Sequence, residues 1–325
     1  MVDDDRAMLP SASPLNHRSL PERLLRASAI EVAYHARSRH RPTSRRPSAT
    51  SRRSAPADAA QLSYDLSAIP GDLKADKLRR IHPLLRPEVA VVEHPGYLDC
   101  LPETVRKAFH AEAEGPISAH DYDTTALTLI AEYPEGLILD CGAGWRKTYH
   151  PNVVNLEIAP YASTDVLGVG EELPFKDGVF DAVFSLAVLE HVRDPFRCAA
   201  EIMRVLKPGG RVYAVVPFMQ HYHGYPHHYF NMTKQGLARL FENLEPLSHE
   251  VPDSGLPIWT ASHYLARWAA GLSGPTREAF LDLTVRELAA DPQLQLERAY
   301  VRQLPRAFNE ELASTTALVA RKPGD

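Results

Sequence analysis

The sequence predicts an α/β fold with a doubly wound, mostly parallel sheet. Two observations support this prediction. Short apolar runs typical of buried strands alternate with segments of helical periodicity from Thr124 onward. One helix is specified at both ends, because Asp194 and Pro195 suit its first turn and Gly209-Gly210 suits its exit. Alternating units of this length are typical of parallel strands with helices on both faces.

The elements follow in order along the chain. A helical face over residues 126–133 stops before Pro134, and a short apolar run at 137–139 begins the first strand. Further strands are predicted at 153–156, 180–184 and 212–216. The helix between the last two carries apolar residues at helical spacing, namely Phe196, Ala199, Ala200, Met203 and Leu206.

Composition excludes several classes of protein. The chain has 325 residues, 44% of them hydrophobic, and no apolar run approaches the roughly eighteen residues that a membrane span needs. Three cysteines are too few for a disulfide framework, so we expect a cytoplasmic protein. A net charge of −5 gives no global attraction to nucleic acid, which makes nucleic acid an unlikely partner. Nothing in the sequence indicates an oligomeric state.

The chain divides unevenly. Residues 1–60 are predicted to be a disordered Arg/Pro/Ser-rich N-terminus, since seven arginines and no acid lie between Arg37 and Arg53. A targeting or nucleic-acid-binding arm is the alternative, although Asp3, Asp4 and Asp5 are atypical of an organelle transit peptide. Residues 61–120 read as a lead-in segment, and 121–325 as the main domain.

A glycine turn follows the first predicted strand. Gly142 and Gly144 allow the backbone to approach a ligand, and we expect the turn to lead into a helix N-terminus. Asp140 before the glycines would repel a pyrophosphate and favours a ligand with positive charge. Glu157, seventeen positions later, lies where a carboxylate can accept hydrogen bonds from ribose hydroxyls. Together the two acids indicate a nucleoside with a cationic group.

Four motifs in order carry a family resemblance: Leu139-Asp140-Cys141-Gly142-Ala143-Gly144, Leu173-Pro174-Phe175, Val188-Leu189-Glu190-His191-Val192 and Leu206-Lys207-Pro208-Gly209-Gly210. With them the chain resembles class I S-adenosylmethionine-dependent methyltransferases, over about eighty residues. The resemblance implies a seven-stranded Rossmann-like sheet and S-adenosyl-L-methionine as cofactor. It implies that Asp140, Gly142 and Gly144 hold the methionine end of that cofactor.

The resemblance also implies roles for residues after the later strands. Glu157 and Ile158 would contact the ribose and one adenine face, Glu171 and Glu172 the adenine edge, and Ser185 and Leu186 the sulfonium region. The chain departs from the family at Val169, where an acid is common. His191 is a catalytic candidate, with a packed, hydrogen-bonded histidine as the alternative.

A segment rich in histidine and tyrosine, residues 217–230, follows the last parallel strand and should lie over the crevice. We predict His223 and His227 as candidates for a general base. The residues expected to contact an acceptor are His221, Tyr222, Tyr225, His228 and Tyr229. No carboxylate is interleaved with these histidines, so we predict no metal site. A packed loop with polar tips is the alternative.

The C-terminal part is expected to close the fold. Residues 247–251 and 315–320 resemble the antiparallel pair that ends this sheet, with a helical lid at 252–312 inserted before the last strand. Apolar stripes at helical spacing in the lid begin at Ile258 and Phe280. The predicted activity is methylation of a hydroxyl on a small molecule or glycan. The alternatives are C-methylation of a quinone or lipid, and a non-catalytic cofactor-binding protein.

Overall fold

A computed structural model of the chain describes residues 63–109, 119, 121–224 and 227–323. The strands are β1 Tyr64–Asp65, β2 Val92–His94, β3 Tyr97–Asp99, β4 Ile138–Cys141, β5 Thr148–Tyr149, β6 Val153–Glu157, β7 Val166–Leu167, β8 Phe180–Leu186 and β9 Leu206–Val215. The helices are α1 Gly71–Ile81, α2 Glu103–Ala108, α3 Thr124–Glu132, α4 Pro195–Val205, α5 Lys234–Leu240, α6 Pro257–Gly271, α7 Gly274–Leu281, α8 Val285–Leu288, α9 Ala299–Arg302 and α10 Arg306–Glu311. The predicted disordered N-terminus, 1–60, lies outside the described residues.

The main sheet has seven strands in the order β2-β3-β7-β6-β4-β8-β9. The β2–β3 pair is antiparallel, and the other neighbouring pairs are parallel. β4 lies between β6 and β8, with Ile138 opposite Val153 and Ala182. The predicted α/β class with a mostly parallel seven-stranded sheet is therefore confirmed.

Helices cover both faces of the sheet. Side chains alternate along each strand, so the buried apolar strands present apolar side chains on both faces, and helices pack against them. On one face Leu139 and Val183 pack in a cluster with the buried side of α4. On the other face Ile138 and Phe184 pack in a cluster with α3. Helix α4 begins as predicted, since the Asp194 side chain accepts a hydrogen bond from the Arg197 N–H at 3.0 Å.

The glycine turn does not lead into a helix, so that expectation is wrong. Residues 142–152 connect β4 to β6 without a helix, and β5 within them pairs antiparallel with β1. Parallel strands joined by a helix need a connection of about a dozen residues or more. This connection is shorter, and Pro151 interrupts it.

The expected closing pair of strands is also absent. Residues 247–251 and 315–320 have no regular secondary structure, and Leu247, Val251, Leu318 and Val319 are largely exposed. Pro246 and Pro252 bracket the first segment and remove backbone donors that a strand would need. The sheet reaches seven strands through the β2–β3 hairpin, which residues 61–120 contribute at the opposite edge.

The segment predicted as a lid is helical, with α6 to α10 in it. Ala269, Leu272 and Phe280 form a cluster of their own with Leu304 and Leu312. Ile258 and Leu281 of the predicted stripes are instead exposed. Within the described ranges, the helices are too short or too polar to cross a bilayer.

Candidate active site

The carboxyl ends of β4, β6 and β8 place several predicted residues at one edge of the sheet. Asp140 pairs with Asn155 in β6 and with Phe184 in β8, so the ends of the three strands are level. Asp140, Glu157 and Ser185 therefore all lie at this edge, beyond which ligands bind in such sheets. By strand alternation, Asp140 shares the face of Phe184, and Ser185 shares the opposite face with Val183.

Asp140 is fully buried and paired within the chain. Its Oδ2 accepts hydrogen bonds from the Tyr122 hydroxyl at 2.6 Å and from Arg146 Nε at 3.0 Å, and Arg146 Nη2 lies 2.9 Å away. Arg146 is 4% exposed and also stacks over the Tyr122 ring. The expectation that Asp140 awaits a cationic ligand is therefore wrong in one respect, because the chain itself supplies the positive charge.

Buried polar atoms without partners include one at the end of β4 and one at the end of β8. Asp140 Oδ1 and Ser185 Oγ are both buried, and neither makes a hydrogen bond within the described part of the chain. Leaving a buried polar group unpaired costs about 1–3 kcal/mol. Ala187, just after β8, adopts a positive φ of 56°, a strained conformation that is common next to binding sites. The unpaired Ser185 hydroxyl and the strained Ala187 thus lie within two residues of each other at the end of β8.

Glu157 holds the glycine turn against the end of β6. Its Oε2 accepts the Gly144 N–H at 2.7 Å, and its Oε1 accepts the N–H of Ile158 at 2.7 Å. Burial raises the pKa of Glu157, although these two backbone donors oppose that effect. Each carboxylate oxygen can accept further hydrogen bonds, so Glu157 remains suited to ribose hydroxyls.

Gly142 is required by the packing of the turn. Its φ is +76°, and a Cβ there would lie 2.6 Å from Cγ2 of Val188. Val188 belongs to the turn after β8, which also carries Glu190 and His191. The glycine turn and the turn after β8 are therefore in contact.

The remaining predicted cofactor residues occupy different environments. Glu171 is buried, and its Oε1 accepts the Arg193 N–H at 2.9 Å, so it anchors the turn after β8. Glu172 is half exposed and lies 3.7 Å from Arg197. Ile158 packs beside a small cluster around Leu167, and Leu186 packs beside Phe184.

Glu190, His191 and His223 form a cluster beside this edge. Their ligand-type atoms all lie within 4.8 Å of one another. Glu190 is 0% exposed, and neither carboxylate oxygen receives a hydrogen bond from another residue in the described ranges. Burial raises the pKa of Glu190 to about 8 and lowers the pKa of His191 to about 4. An acid and two histidines thus share a partly desolvated position.

The segment 217–230 is tied to this cluster through its backbone. The Glu190 carbonyl accepts the Tyr229 N–H at 2.7 Å, and His191 Nδ1 hydrogen-bonds the His227 carbonyl at 2.6 Å. The His228 ring stacks on Tyr222, with centroids 5.8 Å apart. Tyr222 and Tyr229 are both exposed enough to offer ring faces to an acceptor. The structure thus brings His191, His223, His227 and His228 together.

His221 lies beside the helical segment 252–312. Its Nε2 lies 3.8 Å from Glu311, which also forms a two-point ion pair with Arg267 at 2.5 and 2.6 Å. Thr260 of α6 donates a hydrogen bond to the Met219 carbonyl. The predicted contact residue Tyr225 lies outside the described residues.

Sequence reasoning missed Tyr122, Arg146 and the role of Glu190. Arg146 is two residues beyond the second glycine of the turn, a position that suggests a surface basic residue. Its pairing with Asp140 follows from the absence of a helix after the turn. Glu190 was recognised only as part of a motif, since its proximity to His223 depends on how the segment 217–230 folds back.

This part of the chain is similar to known methyltransferases. Residues 141–214 match the family described as a methyltransferase domain. An uncharacterized methyltransferase of Mycobacterium sp. (strain KMS) is 51% identical over 41 residues, which are 13% of this chain and 16% of that protein. A tRNA U34 carboxymethyltransferase of Campylobacter curvus is 43% identical over 74 residues, 22% of this chain and 24% of that protein. The chain thus spans less than a quarter of the length of these two relatives.

Among solved structures, a Thermotoga maritima protein described as a SAM-dependent methyltransferase, possibly a histamine N-methyltransferase, aligns with 34% of this chain and 63% of its own. The identity is 24% and the TM-score is 0.27.

Proposed function

We propose that this chain, which carries a methyltransferase domain over residues 141–214, transfers a methyl group from S-adenosyl-L-methionine to a hydroxyl of a small-molecule or saccharide acceptor. Methyl transfer asks little covalent chemistry of a protein. It requires the acceptor to be aligned with the departing sulfur, which is mainly a matter of proximity and orientation.

The observation that carries the proposal is the pair of buried, unpartnered polar atoms at the carboxyl edge of the sheet. Asp140 Oδ1 and Ser185 Oγ lie at the ends of β4 and β8; Ser185 is inside the segment 141–214 that matches the methyltransferase family, and Asp140 directly precedes that segment. A bound ligand with polar groups would satisfy both atoms. The residues at this edge therefore fit a polar cofactor.

In this proposal Glu157 accepts hydrogen bonds from the ribose hydroxyls of the cofactor, and the turn from Gly142 to Gly144 leaves room for the backbone to approach its methionine end. When bound, the cofactor would supply a methyl group on a positively charged sulfur. The acceptor oxygen gains the methyl group, and the electrons of the broken C–S bond stay on the sulfur, which becomes a thioether. The proton of the hydroxyl passes to a base. Asp140 and Arg146 compensate each other, so their pair adds no net charge beside the cofactor.

The cluster of Glu190, His191 and His223 would receive the acceptor hydroxyl. Both histidines donate Nδ1–H to backbone carbonyls, of His227 and His221, and so keep an Nε2 lone pair. Such a nitrogen can accept a hydrogen bond or a proton from a hydroxyl. Tyr222 and Tyr229 offer flat faces for a sugar or aromatic ring.

Calorimetric titration with S-adenosylmethionine, followed by transfer of a labelled methyl group to a panel of sugars, phenols and quinones, tests this function. We expect binding, and label on oxygen. Glu157→Gln should weaken cofactor binding by about tenfold, because hydrogen bonds to a carboxylate are stronger than those to an amide. Glu132→Gln, an exposed carboxylate paired with Arg211, is the matched control and should bind as the parent does.

The alternatives predict different outcomes of the same assays. Label found only on carbon would favour C-methylation. Cofactor binding without transfer to any acceptor would favour a binding protein. No binding at all would refute the proposed function.

A further inference from the structure

We propose that Glu190, His191 and His223 form a binding site for a divalent transition-metal ion, of which Zn²⁺ is the best fit. Two imidazoles and one carboxylate are a donor set found in catalytic zinc sites, where a fourth position stays open for water or substrate. This proposal departs from the prediction of no metal, which was based on the absence of carboxylates among the histidines of residues 217–230.

The geometry requires only a small contraction. The three ligand-type atoms lie within 4.8 Å of one another, and His191 Nε2 is 3.8 Å from Glu190 Oε1. Zinc–ligand distances of about 2.0–2.2 Å in a tetrahedral site place ligand atoms about 3.4 Å apart. Shifts of the order of 1 Å in side chains would close the site around an ion.

The hydrogen bonds of the histidines select the right tautomer. Nδ1 of His191 donates to the His227 carbonyl at 2.6 Å, and Nδ1 of His223 donates to the His221 carbonyl at 2.8 Å. A ring nitrogen bonded to a backbone carbonyl is the usual support of a metal-binding histidine, because it leaves the other nitrogen unprotonated and fixes the ring. Both rings are thus held with Nε2 available as a ligand.

His228 lies in the same group of rings but, unlike His191 and His223, has no ring nitrogen available for a metal ion. Its ring is 4.4 Å from the His223 ring, centroid to centroid. However, its Nδ1 accepts the His223 N–H at 3.3 Å, and its Nε2 hydrogen-bonds Asn231 Oδ1 at 3.0 Å. Because both nitrogens are engaged, His228 packs against the site and is not one of the proposed ligands.

Glu190 supplies the independent reason for a cation. A carboxylate that is 0% exposed normally has hydrogen-bond donors or a positive partner, because an isolated buried charge is costly. Within the described ranges, neither oxygen of Glu190 accepts a hydrogen bond from another residue, and His191 Nε2 lies 3.8 Å from its Oε1. A divalent ion between the carboxyl group and the two imidazoles would take the place of the carboxyl proton and compensate the charge of the ionised form.

A role in the reaction rests on the proposed function. With an ion bound, both Nε2 atoms are ligands and no longer accept a proton. An acceptor hydroxyl bound at the open position of the ion would have a lowered pKa, as metal-bound water does, and would release its proton to solvent water. The site lies close to the glycine turn, because Val188, two residues before Glu190, packs against Gly142. The metal site itself can be tested without any cofactor or acceptor.

The experiment uses the full chain, freed of metal by a chelator and titrated with Zn²⁺ or Co²⁺. Calorimetry measures the affinity, and the visible absorption of Co²⁺ reports whether its coordination is tetrahedral. The variants are Glu190→Gln, which keeps the shape of the side chain, and His223→Ala. The control is His82→Ala, because His82 and Glu93 form an exposed histidine–carboxylate pair 3.3 Å apart that has no third ligand among the described residues.

We expect one ion per chain whose affinity falls by at least about tenfold in Glu190→Gln and His223→Ala and is unchanged in His82→Ala. Histidines outside the cluster bind metal equally in the control and in the variants. The difference in metal affinity between these proteins therefore decides the outcome. Equal affinity of the parent and Glu190→Gln would overturn the proposal, as would the absence of tetrahedral Co²⁺ bands in the parent. Thermal unfolding checks folding, and Glu190→Gln decides alone if His223→Ala does not fold.

Titration of the same proteins with S-adenosylmethionine separates the two proposals. Metal binding without cofactor binding would refute the proposed function and leave the metal site standing. Cofactor binding by the parent and by Glu190→Gln, with no difference in metal affinity between them, would refute the metal site alone.

Discussion

Replacing Ser185 with alanine should separate ligand binding from stability. The Ser185 hydroxyl is fully buried at the end of β8, and no described residue hydrogen-bonds it. In the protein without ligand, its removal takes away an unsatisfied polar group. In the complex, its removal takes away a hydrogen bond, if the hydroxyl is there to serve the cofactor.

The expected magnitudes follow from these contacts. A buried hydroxyl without a partner costs about 1–3 kcal/mol, so Ser185→Ala should leave the free energy of unfolding unchanged or raise it by about 1 kcal/mol after the small loss of packing. A neutral hydrogen bond contributes about 0.5–1.5 kcal/mol, so cofactor affinity should fall by roughly 2- to 13-fold.

Thr164→Val is the matched control. The Thr164 hydroxyl is equally buried, but it accepts the Tyr161 N–H at 3.1 Å and donates to the Ala159 carbonyl at 3.0 Å. This variant should lose about 1–3 kcal/mol of unfolding free energy and keep its cofactor affinity. Urea denaturation and calorimetric titration with S-adenosylmethionine measure both quantities. A Ser185→Ala variant that is destabilised and binds the cofactor as tightly as the parent would refute the reasoning.

Three further predictions concern the framework of the site. Arg146→Met should destabilise the protein by about 3–5 kcal/mol in denaturant titration, because Asp140 would be left buried without its cation. The control Arg211→Met removes one partner of an exposed ion pair and should cost less than about 1 kcal/mol. Gly142→Ala should cost about 1–3 kcal/mol more than Gly209→Ala: both glycines have positive φ, but only the first would drive a Cβ into Val188. Equal losses within either pair would contradict these assignments. Burial alone would raise the pKa of Asp181, but hydrogen bonds from Lys207 and the Leu137 N–H outweigh burial and hold that pKa below its usual value. The ionised carboxylate therefore stabilises the fold at neutral pH, and this stabilisation is lost as pH falls through the folded-state pKa. Asp181→Asn should therefore lower stability at pH 7 by about 1–2 kcal/mol and flatten the acid side of a thermal-melting pH series, while an unchanged acid limb would count against this role.

The central sheet could be predicted because its signals are local. Helix α4 follows from Asp194 and Pro195 at its start and from apolar side chains at helical spacing, and each of these acts within one or two turns of the chain. The strands β4, β6, β8 and β9 are apolar runs whose neighbours are set by the alternation with helices. Their predicted bounds differ from the observed ones mainly at the ends, where hydrogen bonding to a neighbour decides.

The two wrong expectations about elements have a common cause. Both the helix after Gly144 and the strand at 315–320 were expected because such a fold commonly has an element there. The connection over residues 142–152 is too short for a crossover helix, and Leu318 and Val319 find no apolar surface to cover them. Local chain length and burial override the general pattern in each case.

The expected position of the candidate site rests on the topology of the sheet, and only part of the chemistry observed there could be predicted. That Asp140, Glu157 and Ser185 meet at one edge follows from parallel strands and from the rule that ligands bind beyond their carboxyl ends. That Arg146 neutralises Asp140 depends on a side chain returning from the next connection, which no periodicity encodes. The consequence is practical, since Asp140→Ala would leave Arg146 buried without its partner and would test stability as much as binding.

The orphaned polar atoms connect these observations. Buried polar side chains in folded proteins are nearly always hydrogen-bonded, so the exceptions near the carboxyl ends of the strands call for a reason. Asp140 Oδ1, Ser185 Oγ and the Glu190 carboxylate lie at the end of β4, the end of β8 and the turn that follows β8. A cofactor beside the first two atoms and a cation beside the third would satisfy all of them, and the contact of Val188 with Gly142 makes the two positions neighbours. The sheet edge would then bind the methyl donor and the acceptor oxygen side by side, which is the arrangement that in-line transfer requires.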